Sequence, residues 1–180
     1  MKRCNKNLQY VIHAGVLGAM YVALTTLQNL IWPDSATMAV QMRLAEVLCV
    51  CAFFTPAAIP GLTLGCLIFN LTWSQSLPLD FLVGALATLG ATWCMRRLRD
   101  VRLKGIPWLG LLMPAVWNAV LVGWELTVYL SPNGFTWTLY GINAFFVFLG
   151  ETIVLLIPGT ALYGAVVRRG LNQRLFPEGE

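Results

Sequence analysis

The sequence predicts an all-α integral membrane protein, a bundle of six transmembrane helices with both termini in the cytoplasm. Three observations predict this class. The 180 residues are 58% hydrophobic and only 11% charged, which leaves too little polar material to cover a water-soluble surface. Long apolar segments alternate with short stretches rich in helix breakers. The basic residues gather beside alternate segments, as the positive-inside rule expects.

The apolar segments follow one another without a linker or low-complexity tract, so we expect a single membrane domain over residues 1–180. Most have the ~20 residues that a helix needs to cross ~30 Å of hydrocarbon. Stretches that contain Pro or Gly, such as WPDS, TPAAIPG and SPNGF, separate them. The six segments run over approximately residues 9–31, 36–54, 57–72, 79–96, 107–130 and 138–167.

The first segment resembles a signal peptide only in its basic start, MKRCNK. Its apolar run is about twice as long as a signal-peptide core, and this length predicts a retained helix. The third segment, 57–72, is short for a span. We therefore expect it to be buried among its neighbours or to cross only part of the bilayer.

Eleven of the 12 Lys and Arg residues fall on one predicted side of the bundle. They precede the first segment, occupy the basic loop over residues 96–105, or follow the sixth segment. With six spans, all of them are cytoplasmic and the three outer loops contain none. The net charge of +4 then requires no nucleic-acid partner, because anionic lipid headgroups account for it.

The remaining basic residue, Arg43, lies inside the second segment, in VQMRLAEVL, together with Glu46. Glu125 and Glu151 lie at membrane depth in the fifth and sixth segments. Each ionised group at the bilayer centre costs about 2.5–3.5 kcal/mol, so such groups usually face a bundle interior and mark a substrate or ion path.

Further polar and aromatic residues are placed near these charges by their spacing. Asn118 and Glu125 are seven residues apart and share a helix face. Asn143, Val147 and Glu151 follow one another at intervals of four and also share a face. The candidate binding residues of one cavity in the outer half are Arg43, Glu46, Asn70, Asp80, Trp117, Asn118, Trp124, Glu125, Asn143, Val147 and Glu151.

Two interpretations of the charges stay open. Arg43 and Glu46 are three residues apart and can pair within their own helix, which would give them a structural role. That pairing does not account for Glu125 and Glu151, and the four groups together carry a formal net charge of −2. Either some carboxylates hold protons or a cationic solute binds, and aromatic rings beside acids suit a flat cation.

Small residues recur at every fourth position of the first segment in two registers, Ala14 and Gly18 in one, and Gly15, Ala19 and Ala23 in the other. Such spacing permits close helix packing, either inside the bundle or against a partner protein. The sequence has no Gly-rich phosphate loop and no recognisable catalytic or metal-binding grouping. We therefore expect no enzyme activity, no metal and no cofactor bound to this chain.

Five long blocks of sequence occur in order: VQMRLAEVL, FFTPAAIPGLTLGCLIFN, LDFLVGALATLGA, MPAVWNAVLVGWEL and VFLGETIVLLIPGTALY. In these blocks, from about residue 10 to 167, the chain resembles the QueT family of queuosine-precursor transporters. The resemblance implies the substrate-binding S component of an energy-coupling factor (ECF) transporter, in the plasma membrane of a bacterium. It also implies a transmembrane coupling protein and two cytoplasmic ATPases as partners, which use the ATP.

The implied ligand is a 7-deazaguanine, whose N–H donors suit carboxylates and whose carbonyl suits Arg or Asn. We expect Glu125 and Glu151 to be the ligand carboxylates, with Asp80 third and Trp117 or Trp124 stacking on the ring. An acidic site predicts preference for the aminomethyl form, which carries an ammonium, over the uncharged cyano form. The alternatives are a stand-alone, proton-coupled permease for a small cationic solute and a structural subunit without a ligand.

Overall fold

The computed structural model describes residues 6–33, 42–73, 78–132 and 134–176. Every regular element within these ranges is helical, which confirms the all-α class predicted from composition. The elements are α1 (Lys6–Ile31), a 3₁₀ helix (Leu44–Phe53), α2 (Ala58–Thr72), α3 (Asp80–Arg97), α4 (Trp108–Leu111), α5 (Met113–Leu130), α6 (Trp137–Val154), a π-helical turn (Leu155–Gly159), α7 (Thr160–Arg168) and α8 (Leu171–Leu175).

Three helical stretches of the described ranges are long and apolar enough to cross a membrane: Lys6–Ile31, Trp108–Leu130 and Trp137–Arg168. The 3₁₀ helix and α2 are apolar but shorter. The protein is therefore a helical membrane protein, and the count of six spans stays a prediction. The last stretch is interrupted at Pro158, which cannot donate a backbone hydrogen bond and lies within the π-helical turn.

The second segment departs from the prediction of one α-helix over 36–54. Residues 36–41 lie outside the described ranges, Arg43 is extended with φ −78° and ψ 101°, and the chain then forms the 3₁₀ helix. Its ten residues exceed the three or four that are usual for 3₁₀ geometry. The element is apolar on nearly every side, so its sequence carries no 3.6-residue period that would have distinguished the two helix types.

The 3₁₀ helix is the central element of the fold. It contacts α1, α2, α3, α6 and α7, and most of its side chains are buried. Around it α1 packs on α2, α2 on α3, α3 on α5, and α5 on α6. Side chains of the 3₁₀ helix therefore project toward several surrounding helices, which places its polar residues inside the bundle.

Helices α1 and α2 touch backbone to backbone through small residues. A Cβ on Gly61 would lie 2.5 Å from the Ala14 carbonyl oxygen, and one on Gly65 would lie 2.7 Å from the Gly18 carbonyl oxygen. Only glycine fits at these points of α2. Of the two registers of small residues in α1, the one that contains Ala14 and Gly18 therefore packs inside the bundle.

Candidate ligand-binding site

Five ionisable side chains are buried together in the interior, and we call them the acid cluster: Arg43, Glu46, Asp80, Glu125 and Glu151. Arg43 is 1% exposed, Asp80 is 4% exposed, and the three glutamates are 0% exposed. They come from the start of the 3₁₀ helix, the start of α3, and from α5 and α6. Buried charged groups in a membrane domain need partners and usually mark a functional site.

Arg43 pairs with Asp80 of α3. One guanidinium nitrogen, Nη2, lies 3.4 Å from Asp80 Oδ1, and Nη1 lies 3.9 Å from the sulfur of Cys66. Asp80 is the first residue of α3, where the positive end of the helix dipole favours a carboxylate. Asn70 Nδ2 donates to the Asp80 carbonyl oxygen at 2.9 Å. This ion pair joins two separate elements, in contrast to the Arg43–Glu46 pairing within one helix that the sequence also allowed.

Glu46 is held by two donors that sequence reasoning missed. The Tyr21 hydroxyl of α1 donates to Glu46 Oε1 at 2.9 Å, and the Cys49 thiol donates to Oε2 at 3.1 Å. Residues three apart lie directly above one another in a 3₁₀ helix, so the unexpected helix type brings Cys49 onto Glu46. Both oxygens of this carboxylate are therefore occupied by the protein itself.

A side chain of α1 also secures the backbone beside Arg43. Gln28 Nε2 donates to the Met42 carbonyl oxygen, and the Leu44 amide donates to Gln28 Oε1 at 2.8 Å. Buried backbone outside an α-helix needs such partners, because an unpaired N–H or C=O group in the interior costs free energy. A signal was present in the sequence, since the spacing of Tyr21, Thr25 and Gln28 places these three polar side chains on one face of a helix. In the structure all three are buried.

Glu125 and Glu151 differ from the other acids. None of their carboxylate oxygens has a hydrogen-bond partner in the part of the chain that the structure describes. Glu151 lies near enough to Arg43 and Glu46 for electrostatic interaction, and approaches the Arg43 backbone without reaching hydrogen-bond geometry. Glu125 lies near enough to Asp80 and Arg43 for electrostatic interaction. Both unpaired carboxylates therefore belong to the acid cluster.

The Asn118 side chain is another buried polar group without a hydrogen-bond partner. It is 1% exposed, and neither its amide nitrogen nor its amide oxygen has a partner among the described residues. Asn70 Oδ1 likewise lacks a partner there. A buried polar group left without a hydrogen bond costs about 1–3 kcal/mol. These amides and the two carboxylates thus supply both donors and acceptors for a molecule with complementary groups.

The two tryptophans proposed for stacking are placed differently. Trp117 is half-buried and its ring covers Gly90 of α3, where a Cβ would lie 2.7 Å from the ring. Trp124 is 45% exposed on the surface of α5. The structure therefore brings Trp117 against the bundle and leaves Trp124 on the outside.

The remaining candidates lie on the shared face of α6. Asn143 is half-buried and its Nδ2 donates to Thr127 Oγ1 of α5 at 3.0 Å. Val147 is 0% exposed and packs with Val122 and Leu126 in a small apolar cluster. Asn143 and Val147 thus join α6 to α5 along the face that also carries Glu151.

The acid cluster has one guanidinium and four carboxylates, a formal charge of −3 if all are ionised. The Arg43–Asp80 pair neutralises one carboxylate, and Glu46 is bound by neutral donors. The excess therefore resides on the three glutamates, and of these Glu125 and Glu151 lack hydrogen-bond partners among the described residues. Among the described residues, no group of three or more His, Cys, Asp or Glu is placed to hold a metal ion. The arrangement suits a molecule that carries N–H donors or a positive charge.

The second register of small residues in α1 faces outward. Gly15, Ala19 and Ala23 are exposed, and a Cβ on Gly15 would have no atom within 4 Å. This face lies opposite the internal contacts of α1 and is open to another helix.

Comparison with family models finds the family described as QueT transporter, matched over residues 11–168. No match was found among curated proteins or among solved structures. The family match spans most of the chain and includes every residue of the acid cluster. The chain therefore belongs to the QueT transporter family, and it is a membrane transport protein rather than an enzyme.

Proposed function

We propose that the chain is the S component of an ECF importer and captures a queuosine precursor, a 7-deazaguanine, at the acid cluster. The observation that carries the proposal is the set of buried groups without partners, Glu125, Glu151 and Asn118, in a chain of a transporter family. Groups of this kind are stabilised when a molecule supplies the missing hydrogen bonds.

The chemistry of the ligand supports this assignment. A guanine-type edge presents adjacent N–H donors that one carboxylate accepts together, and a carbonyl oxygen to which Asn118 Nδ2 can donate. The aminomethyl form adds an ammonium for the second carboxylate. Because Glu46 and Asp80 are already bound within the protein, we assign the ligand to Glu125 and Glu151.

We further propose that six spans place both termini and the basic loop over residues 96–105 on the cytoplasmic side of a bacterial plasma membrane. The exposed face of α1 that contains Gly15, Ala19 and Ala23 receives the transmembrane coupling protein, because small residues permit close helix contact. Two cytoplasmic ATPases then supply the energy, so this chain needs no nucleotide site.

Calorimetric titration of the purified chain in detergent tests the capture of the ligand. We expect the aminomethyl 7-deazaguanine to bind more tightly than the cyano form or guanine, because only the aminomethyl form carries the ammonium. Glu125→Gln and Glu151→Gln should each weaken binding by roughly tenfold or more, since each removes a charged acceptor.

The control is Asp100→Asn, which removes an acid whose side chain is 79% exposed and lies outside the cluster. It should bind as the wild type does. Binding of the cyano and aminomethyl forms with equal affinity would contradict the acidic-site argument. Failure of every deazaguanine to bind would contradict the proposed ligand.

A proton-coupled permease is the second candidate, because the acid cluster holds more carboxylates than cations. The two functions differ in their requirement for ATP. Proteoliposomes that contain this chain alone should accumulate substrate under a proton gradient if it is a permease. Uptake only after addition of the coupling protein, the ATPases and ATP supports the S component.

A further inference from the structure

A cavity lies apart from the acid cluster, at the end of the molecule that carries most of the basic residues. Its volume is about 570 Å³, within the range of pockets that hold small organic molecules. It is bounded by the end of the 3₁₀ helix, the loop after α3, α7 and α8. Its lining includes Phe53, Phe54, Arg99, Arg102, Tyr163 and Asn172.

The apolar wall of the cavity is formed by three packed aromatic rings. Tyr163 stacks on Phe54 with ring centroids 5.5 Å apart and meets Phe53 edge-on at 5.7 Å. Arg96 Nη1 donates to the Phe53 carbonyl oxygen at 3.1 Å, which ties this wall to the end of α3. The wall offers a surface for the hydrocarbon part of a bound molecule.

The polar side of the cavity presents guanidinium groups. Arg102 Nε donates to the Arg99 carbonyl oxygen at 2.9 Å, which leaves its two Nη groups as donors. A guanidinium binds phosphate through two parallel N–H bonds, a geometry that lysine lacks. Asp100 also lines the cavity, and its carboxylate lies 3.5 Å from Arg99 Nε. The two arginines and this aspartate together give the lining a formal charge of +1.

We propose that this cavity binds a singly charged organic phosphate, a phosphodiester whose charge matches the lining and whose carbon skeleton packs on the aromatic wall. Basic pockets at the cytoplasmic ends of transmembrane helices bind anionic headgroups in this manner. An anionic phospholipid and a soluble phosphodiester share this chemistry. The site is independent of the acid cluster and of the ligand proposed there.

Native mass spectrometry of the detergent-purified chain tests the proposal with phosphatidylglycerol and phosphatidylcholine. Phosphatidylglycerol should bind about tenfold or more tightly than phosphatidylcholine, and Arg102→Gln should remove most of this preference. Arg97→Gln is the matched control, because the Arg97 guanidinium lies 5.2 Å from the centroid of the Trp93 ring and does not line the cavity. It should retain the preference.

Soluble glycerophosphoglycerol distinguishes the two sources. Displacement of the lipid at equal concentration assigns the site to a soluble phosphodiester, and failure to displace it assigns the site to the phospholipid. Equal loss of binding in Arg97→Gln and Arg102→Gln would overturn the proposal, since diffuse surface charge would then explain it. The proposal would also be overturned if phosphatidylglycerol and glycerophosphoglycerol both failed to bind. If Arg102→Gln melts at a lower temperature without lipid, Arg102→Lys replaces it as the test variant and should weaken phosphatidylglycerol binding, because lysine lacks the paired N–H donors of a guanidinium. Unchanged binding in Arg102→Lys would then overturn the proposal.

Discussion

Replacing Gly61 by alanine tests the contact between α1 and α2. The new Cβ would lie 2.5 Å from the Ala14 carbonyl oxygen and 2.9 Å from its Cα. Both are backbone atoms of a helix, so they cannot move aside as the end of a flexible side chain would, and the two helices must separate. Overpacking of this kind costs about 1–3 kcal/mol. Alanine returns up to about 1 kcal/mol through its higher helix propensity.

We therefore expect Gly61→Ala to lower the free energy of unfolding by about 1–2 kcal/mol, which in a chain of this length lowers Tm by about 2–8 °C. Tryptophan fluorescence of the detergent-purified variants during heating measures this. Gly15→Ala is the matched control on α1, because its Cβ has no atom within 4 Å and only the propensity gain applies. Equal Tm values for the two variants would refute the backbone contact at Gly61.

Three further changes probe other parts of the fold. Ala19→Leu enlarges the exposed face of α1, so Tm should be unchanged while co-purification with the coupling protein is lost; retained co-purification would exclude this face as the docking site. Tyr21→Phe removes a donor to Glu46 and should destabilise the chain by about 1–3 kcal/mol in the same thermal assay, with an unchanged Tm as the contrary result. Arg43→Met leaves Asp80 buried without its cation and should cost about 3–5 kcal/mol. Asp80→Asn in the Arg43→Met background should restore part of this loss, and strictly additive effects in a double-mutant cycle would argue against the pair.

The all-α membrane class could be predicted because it depends on composition and segment length, which do not require knowledge of packing. The charges inside the second segment could also be recognised, since charged residues are rare at membrane depth. The hydrogen-bond and ion-pair partners of these charges could not be predicted. Arg43 and Glu46 are close in sequence, and only the positions of Asp80 and Tyr21 on other helices determine that each bonds elsewhere.

Neither the 3₁₀ helix nor the register of α1 that packs inside the bundle could be predicted from the sequence. Residues 44–53 are apolar on nearly every side, so no periodicity distinguishes an α-helix from a 3₁₀ helix. The two registers of small residues in α1 differ by one position. The glycines of α2, Gly61 and Gly65, decide which register is internal, and their facing side is known only from the packing.

The orientation of α1 has a mechanical consequence. Successive residues of an α-helix turn by about 100°, so Gln28, which holds the backbone on either side of Arg43, lies nearly opposite Ala19 on the exposed face. Helix α1 is thus exposed on the side of Ala19, and on the other side its Gln28 side chain holds the Arg43 segment by hydrogen bonds. A rotation or tilt of α1 that is caused at its exposed face would therefore move the backbone at Met42 and Leu44. The geometry of the acid cluster therefore cannot be independent of what is in contact with the outer face of α1.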